Sequence, residues 1–282
     1  MKYRHACHAG NFADVVKHVV LVSVLTRLTQ KERPLYYLDT HAGRARYDLG
    51  SHDSAAEAAR GIGRLAAADP KGMPAPIRRY LELVRAFDPV NDSAPQIYPG
   101  SPCIAAALLR PEDRAALCDI EPGEAQLLGR EFRGDRRFAV HCRDGFEALA
   151  ALLPPGEKRG LVLIDPAYEE QQTDLERVAD ALAATAKRWP QGVLAAWYPI
   201  KLASVIARFH RRVLDAGLRR VLAVELCVHP DDSRAGLNGS GILLVNPPWK
   251  VDNDLRAAMP ALHAILAPDG SGRWRVDWLV GE

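Results

Sequence analysis

Four short apolar runs in this chain end on an acid or beside one, and stretches of helical periodicity separate them. Residues 35–38 run into Asp39, 115–118 into Asp119, 138–142 into Arg143-Asp144, and 160–164 into Asp165. A run this short and this apolar suits a strand buried on both faces of a parallel sheet. Strands alternating with helices predict a doubly wound α/β fold. Three further runs, 193–197, 221–228 and 242–245, make seven strands. The last two are joined by a polar loop, 230–239, with no helix, which predicts an antiparallel edge strand. Acids at strand ends fall on the carboxyl rim, where open sheets bind ligands.

The intervening segments read as helices. Asn11 is a fitting N-cap for a helix reaching about Gln30, with Phe12, Val15, Val16, Val19 and Val22 as its buried stripe. Lys17 and His18 fall off that stripe, toward solvent or a ligand cleft, and solvent is the simpler reading. Ser101 reads as the N-cap of the helix that begins at Cys103, with Pro102 at its first position. Between the first two strands, residues 52–97 carry an Ala-rich helical stretch and a second helix over 76–87. They read as a helical insertion within one domain spanning 1–282. Pro and Gly mark its joints.

Bulk properties narrow the function classes. A net charge of +2 permits a nucleic-acid partner without demanding one, although arginines pair up at 136–137, 211–212 and 219–220. Five cysteines, with no CxxC spacing, fit reduced thiols in a cytoplasmic protein. No window approaches the roughly 20 apolar residues of a membrane span. His5, His8, His18 and His41 match no common ligand spacing, so no metal site is expected.

Two turns could present groups to an amine. Ile164-Asp165-Pro166-Ala167-Tyr168 places a carboxylate, a free carbonyl and an aromatic ring together. Asp165 and the Pro166 carbonyl can each accept one hydrogen of an exocyclic NH2, and Tyr168 can stack on the ring that carries it. Drawing both hydrogens aside leaves the nitrogen lone pair free to attack an electrophile. Asn246-Pro247-Pro248-Trp249 resembles this turn, but its strand is the seventh. The fourth strand lies nearer the switch point of such a sheet, which favours Asp165. The bland reading of 246–249 is a rigid strand exit packing Trp249 on the core.

Taken together, the blocks identify a resemblance. His8-Ala9-Gly10-Asn11 with Ala13-Asp14-Val15 and Lys17-His18, Leu38-Asp39-Thr40-His41-Ala42-Gly43, Tyr98-Pro99-Gly100-Ser101-Pro102, Arg143-Asp144-Gly145-Phe146, Ile164-Asp165-Pro166-Ala167-Tyr168, Trp197-Tyr198-Pro199 and Asn246-Pro247-Pro248-Trp249-Lys250 are similar to the large-subunit ribosomal RNA methyltransferase J family over nearly the whole chain. The resemblance implies a class I, Rossmann-like methyltransferase fold, S-adenosylmethionine as methyl donor, and methylation of an adenine N6 in 23S ribosomal RNA by a cytoplasmic monomer. It implies Asp165 as the catalytic acceptor at the amine, with Pro166 and Tyr168 holding the base and Tyr3 touching the RNA. It further implies Lys17, His18, His41, Ser101, Asp119, Asp144, Gly145 and Asp165 around the donor. Two departures stand out: Ala167 replaces a proline of the family pattern, and Arg44 and Arg46 flank a loop that is usually smaller. Competing readings are an adenine-N6 methyltransferase acting on DNA, a protein methyltransferase, a nicotinamide-dependent oxidoreductase and a catalytically silent RNA-binding protein. The missing G-x-G-x-x-G weighs against the oxidoreductase.

Overall fold

The computed structural model describes residues 8–50, 52–90, 95–231 and 233–281; Tyr3 lies outside them. Helix α1 (Phe12–Thr29) starts at Asn11, whose side chain accepts hydrogen bonds from the amides of Ala13 and Asp14. The capping reading therefore holds. Strand β1 (Tyr36–Asp39) follows, then β2 (Arg46–Asp48). The excursion after β2 holds α2 (His52–Ala58), a π-helical turn (Ala59–Gly63), α3 (Arg64–Ala67) and α4 (Ala75–Phe87). β3 (Ile97–Pro99) closes it by pairing antiparallel with β2, Tyr47 opposite Tyr98. The Ala-rich stretch is thus broken into three pieces. The amide of Ile62, in the π turn, donates to Gly10 O at 2.9 Å. The excursion shares one apolar core with α1 through Ile62, Leu65, Ile77, Tyr80 and Leu81.

The rest alternates as expected: α5 (Ser101–Leu108), β4 (Arg114–Asp119), α6 (Pro122–Glu131), β5 (Phe138–Cys142), α7 (Gly145–Leu152), β6 (Gly160–Ile164), α8 (Gln171–Arg188), β7 (Val193–Ile200), α9 (Ala203–Asp215), β8 (Val221–Cys227), β9 (Gly239–Val245), α10 (Val251–Leu266) and β10 (Arg273–Val280). The main sheet runs β10-β8-β9-β7-β6-β1-β4-β5. β1 pairs parallel with β4 and β6, β6 with β7, and β4 with β5. Successive residues of each central strand face opposite cores. Leu161 and Leu163 join one cluster with α1, α4 and α10; Val162 and Ile164 join the other with α8 and α9. Each such side chain, fully buried, contributes roughly 1.5–3 kcal/mol. No helix among the described residues is long and apolar enough to cross a membrane.

Four expectations change. The sheet has eight strands, because the tail is β10. The predicted antiparallel edge strand, β9, is antiparallel but interior, between β7 and β8; the edge belongs to β10, itself antiparallel to β8. Lys17 and His18 are 4% and 1% exposed, because α1 is covered by the sheet, α4, α5 and α10 together. Helix α5 is capped by Gly100, so Ser101 stands at its first position and its hydroxyl is free for another partner.

A charge holds β10 in place. Glu225, buried in mid-β8, accepts from Arg273 at 3.0 Å, from Arg275 at 2.7 and 2.8 Å, and from the Tyr198 hydroxyl at 2.8 Å. Burial alone would raise the Glu225 pKa, but Arg275 and Arg273 more than reverse that and hold it below its ordinary 4.5. Removing one partner of a buried pair costs about 3–5 kcal/mol, so Glu225→Ala is expected to lower unfolding free energy on that scale. A depressed carboxylate contributes its stability above the ordinary pKa and loses it as pH falls through the folded one. Glu225→Gln should therefore show a shallower acid loss of stability than wild type below about pH 4.5, read from urea unfolding across pH.

Candidate active site

The site is built at the carboxyl rim, where β1, β4, β5 and β6 end side by side and α1 crosses the sheet. Asp165 follows β6, and its side chain is 13% exposed. Lys17 of α1 reaches it: Nζ lies 2.6 Å from Asp165 Oδ2 and 2.8 Å from Asp14 Oδ1. Asp14 is fixed in turn, since Oδ2 accepts the amide of Gly10 at 3.0 Å. Burial alone would lower the Lys17 pKa, but Asp14 and Asp165 together hold it well above its ordinary value. Lys17 is therefore a permanent cation and no proton acceptor. Two carboxylates around one ammonium leave this buried group with a net negative charge.

The Asp165 turn faces β7. Pro166 is buried and Ala167 exposed. The Tyr168 hydroxyl donates to Trp197 O, and the two rings meet edge-on at 5.5 Å. Tyr168 is thus half-buried, packed against the edge of the core shared by α8 and α9, and held in one orientation. The Trp197 indole donates to Ser240 Oγ at 2.9 Å, and the Lys17 ammonium stands 5.9 Å from its ring.

Asp39 ends β1 and is fully buried. One oxygen, Oδ2, accepts from the Tyr37 hydroxyl at 2.8 Å and from Ser101 Oγ at 2.7 Å. The other, Oδ1, is buried with no hydrogen-bond partner. A buried, unpaired carboxylate oxygen costs on the order of 1–3 kcal/mol unless something binds it. Burial raises the Asp39 pKa, while Ser101 and Tyr37 pull it back.

The neighbouring loops are pinned to one another. Asp119, at the end of β4, accepts the amides of Gly43 and Glu121, each at 2.9 Å. Gly43 has φ +63°, and a Cβ there would meet the Tyr47 hydroxyl at 2.2 Å. Asp144 caps α7, accepting the amide of Phe146 at 2.7 Å, and pairs with Arg177 at 3.1 Å. A Cβ on Gly145 would lie 2.1 Å from Thr40 O, so only glycine lets this loop sit against the end of β1. His41 touches Phe146 edge-on at 5.3 Å and bonds Thr40 Oγ1 at 2.8 Å; burial lowers its pKa to about 4, leaving it neutral at physiological pH. Arg44 and Arg46 are drawn away from the loop to Glu124 at 2.8 Å and Glu131 at 2.7 Å.

The structure thus gathers Lys17, Asp165 and Tyr168 on one side and Asp39 with Ser101 on another, with His41, Asp119, Asp144 and Gly145 along the same rim. His18 turns inward: its Nδ1 lies 2.7 Å from the Tyr98 hydroxyl, which meets Tyr80 at 2.8 Å. Three residues gathered here, Asp14, Asp39 and Trp197, stand in the blocks that carry the resemblance but were given no role from the sequence. Asp39 closes a strand as Asp119 does, and Asp14 precedes Lys17 by three positions on a helix, so both carried a signal. The rival turn is excluded by direction. β9 runs opposite to β7, and Val245 pairs with Leu194 near the start of β7, so Asn246 lies on the other rim. Trp249 is 73% exposed there and packs on no core.

Comparison with known proteins agrees with this frame. The family model described as Ribosomal RNA large subunit methyltransferase D, RlmJ, matches residues 32–280. The Ribosomal RNA large subunit methyltransferase J of Escherichia coli is 41% identical over 284 positions, covering 100% of both chains, and that of Haemophilus influenzae is 40% identical with the same coverage. The crystal structure of protein LPL1258 from Legionella pneumophila superposes with a TM-score of 0.88 at 32% identity, covering 96% of this chain and 98% of that one. With matches of this extent, the chain belongs to the ribosomal RNA large subunit methyltransferase J family.

Proposed function

We propose that the protein transfers a methyl group from S-adenosylmethionine to the exocyclic N6 of an adenine in 23S ribosomal RNA. The observation that carries this reading is the pair Lys17–Asp165 at the end of β6, facing a half-buried aromatic ring. When bound, the donor supplies a methyl group on a positively charged sulfur. The residues present fit such a donor. Asp39 Oδ1 is a buried acceptor awaiting a cation, and the Asp14–Lys17–Asp165 group is net negative. S-adenosylmethionine carries an ammonium and a sulfonium against one carboxylate, which suits that balance. Asp39 and Ser101 would hold its amino-acid end, Asp119 its ribose, and Asp144, Gly145 and His41 its base; Lys17 and His18 would back the site.

The target adenine must leave its stack to reach the rim, at a cost of a few kcal/mol that is least in a loop. Asp165 then accepts one amine hydrogen and the Pro166 carbonyl the other, while Tyr168 stacks on the ring. Trp197 holds Tyr168 through its carbonyl and its edge, so the stacking surface is preformed. Lys17 holds Asp165 in place from below. Rate enhancement of this kind rests on orientation and fixed charge rather than on a strong base. Tyr3 would meet the RNA from the basic amino-terminal arm. A monomeric, cytoplasmic enzyme is part of the same reading.

Asp165→Asn keeps the shape but loses the charged acceptor. It is expected to lower methyl transfer to 23S rRNA by about 10²–10⁴-fold while calorimetric donor binding stays measurable; full activity would refute the assignment. Asp39→Asn should act in the opposite sense. Donor Kd should rise by about tenfold or more, as for the loss of a charged hydrogen bond of about 1.5–3 kcal/mol, with a smaller change in kcat. An unchanged donor Kd would remove Asp39 from the site.

A further inference from the structure

The loops that bind donor and base are poor ground for a polyanion. At the carboxyl rim, residues 39–45, 119–122, 143–145, 165–170, 200–202 and 228–238 hold four Lys or Arg against nine Asp or Glu. The opposite rim is the reverse. There the loops entering the parallel strands, and the loop leaving β9, comprise residues 30–35, 109–114, 132–137, 153–159, 187–192, 216–220 and 246–250. They hold fourteen Lys or Arg against five acids. This excess exceeds the +2 of the whole chain, so the rest of the molecule is net negative.

These cations lie along the rim because the sheet order puts the loops in a row. Lys31, Arg33, Arg136, Lys158, Arg219 and Lys250 are exposed and make no ion pair among the described residues. Others are crowded against each other. Arg110 and Arg159 both donate to the same carbonyl, Arg33 O, at 3.0 Å, and Arg159 titrates below its usual range from burial and from its neighbours Arg110 and Arg33. Arg110 is already paired with Asp113 at 2.9 Å, so Arg159 is the crowded cation here that a bound anion would serve. An aromatic stands among them: Trp249, 73% exposed, beside Lys250 in the turn that the catalytic site does not use. Exposed aromatics set in a basic surface serve as stacking platforms for unpaired bases.

We propose that this rim is a second RNA-binding surface, which holds phosphates and an unpaired base of the substrate RNA at a distance from the methylated adenine. β7, eight residues long, sets the separation of the two rims at about 26 Å. The proposal rests on RNA being the substrate. It divides the labour: the far rim supplies salt-sensitive affinity, and the near rim supplies the chemistry.

The test uses the full chain with two probes. One is protein-free 23S rRNA; the other is a short stem-loop cut from it around the adenine that the wild type methylates. The triple variant Arg136→Glu, Arg219→Glu, Lys250→Glu should raise the Kd for 23S rRNA by about 10–100-fold near 0.15 M salt, and flatten the plot of log K against log salt by about 2–3. Trp249→Ala should weaken the same binding by about tenfold, with the salt slope unchanged. Both variants should methylate the stem-loop with wild-type kcat/KM and melt at the wild-type Tm. Wild-type affinity and slope on 23S rRNA would overturn the proposal, as would an equal loss on the stem-loop. A loss confined to a protein-containing precursor particle would also overturn it, assigning the rim to a ribosomal protein. Binding is read without methylation, so a wild type that bound 23S rRNA through this rim yet methylated no adenine would sink the assigned activity and leave the rim standing.

Discussion

One ammonium ties the architecture to the chemistry. Lys17 projects from a helix covered on nearly every side and joins Asp14, its own neighbour, to Asp165 at the end of β6. Burying a lone charge costs several kcal/mol, so none of the three is tolerable there without the others. The same grouping fixes where the Asp165 carboxylate points and leaves the site with spare negative charge. The aromatic pair of Tyr168 and Trp197, and Ser240 bonded both to Trp197 and to Ala13 O of α1, close the circuit between helix and sheet. A change in α1 packing would thus be felt at the reacting end of β6.

The Asp39 side of the rim obeys the same logic with the opposite arrangement. Asp39 has one oxygen fully engaged by Tyr37 and Ser101 and the other left bare. Proteins seldom leave such an atom unpaired, and a bound ligand, ion or water is one way to satisfy it. The loops on either side are locked backbone to side chain through Asp119 and Asp144, and Gly145 allows the closest of these approaches. These loops are therefore braced by the protein's own contacts, which is what electrostatic preorganisation requires.

Viewed as a charge distribution, the molecule is polarised along its strands. Acids collect where strands end and cations where they begin. Local charge is thus uninformative until the chain is folded, because residues as distant as Arg33 and Lys250 share a rim only through the order of the sheet. The near-neutral total hides both faces.

Much was legible in the chain itself. Short apolar runs, four of them closed by acids, disclosed seven of the eight main-sheet strands, because a strand buried on both faces leaves little room for polar residues. Asn11, Asp165, Asp119 and Asp144 could be placed at element ends from local chemistry alone. β10 was hidden because an edge strand is half solvated, and its Arg273 and Arg275 read as surface charges until Glu225 is seen beneath them. Lys17 and His18 were misjudged because one apolar stripe cannot tell that three other helices cover the remaining sides of α1. The family of Asp165 turns was written in the sequence. Which of two such turns lies on the carboxyl rim was decided by strand direction, a property of pairing between distant segments that no local pattern carries.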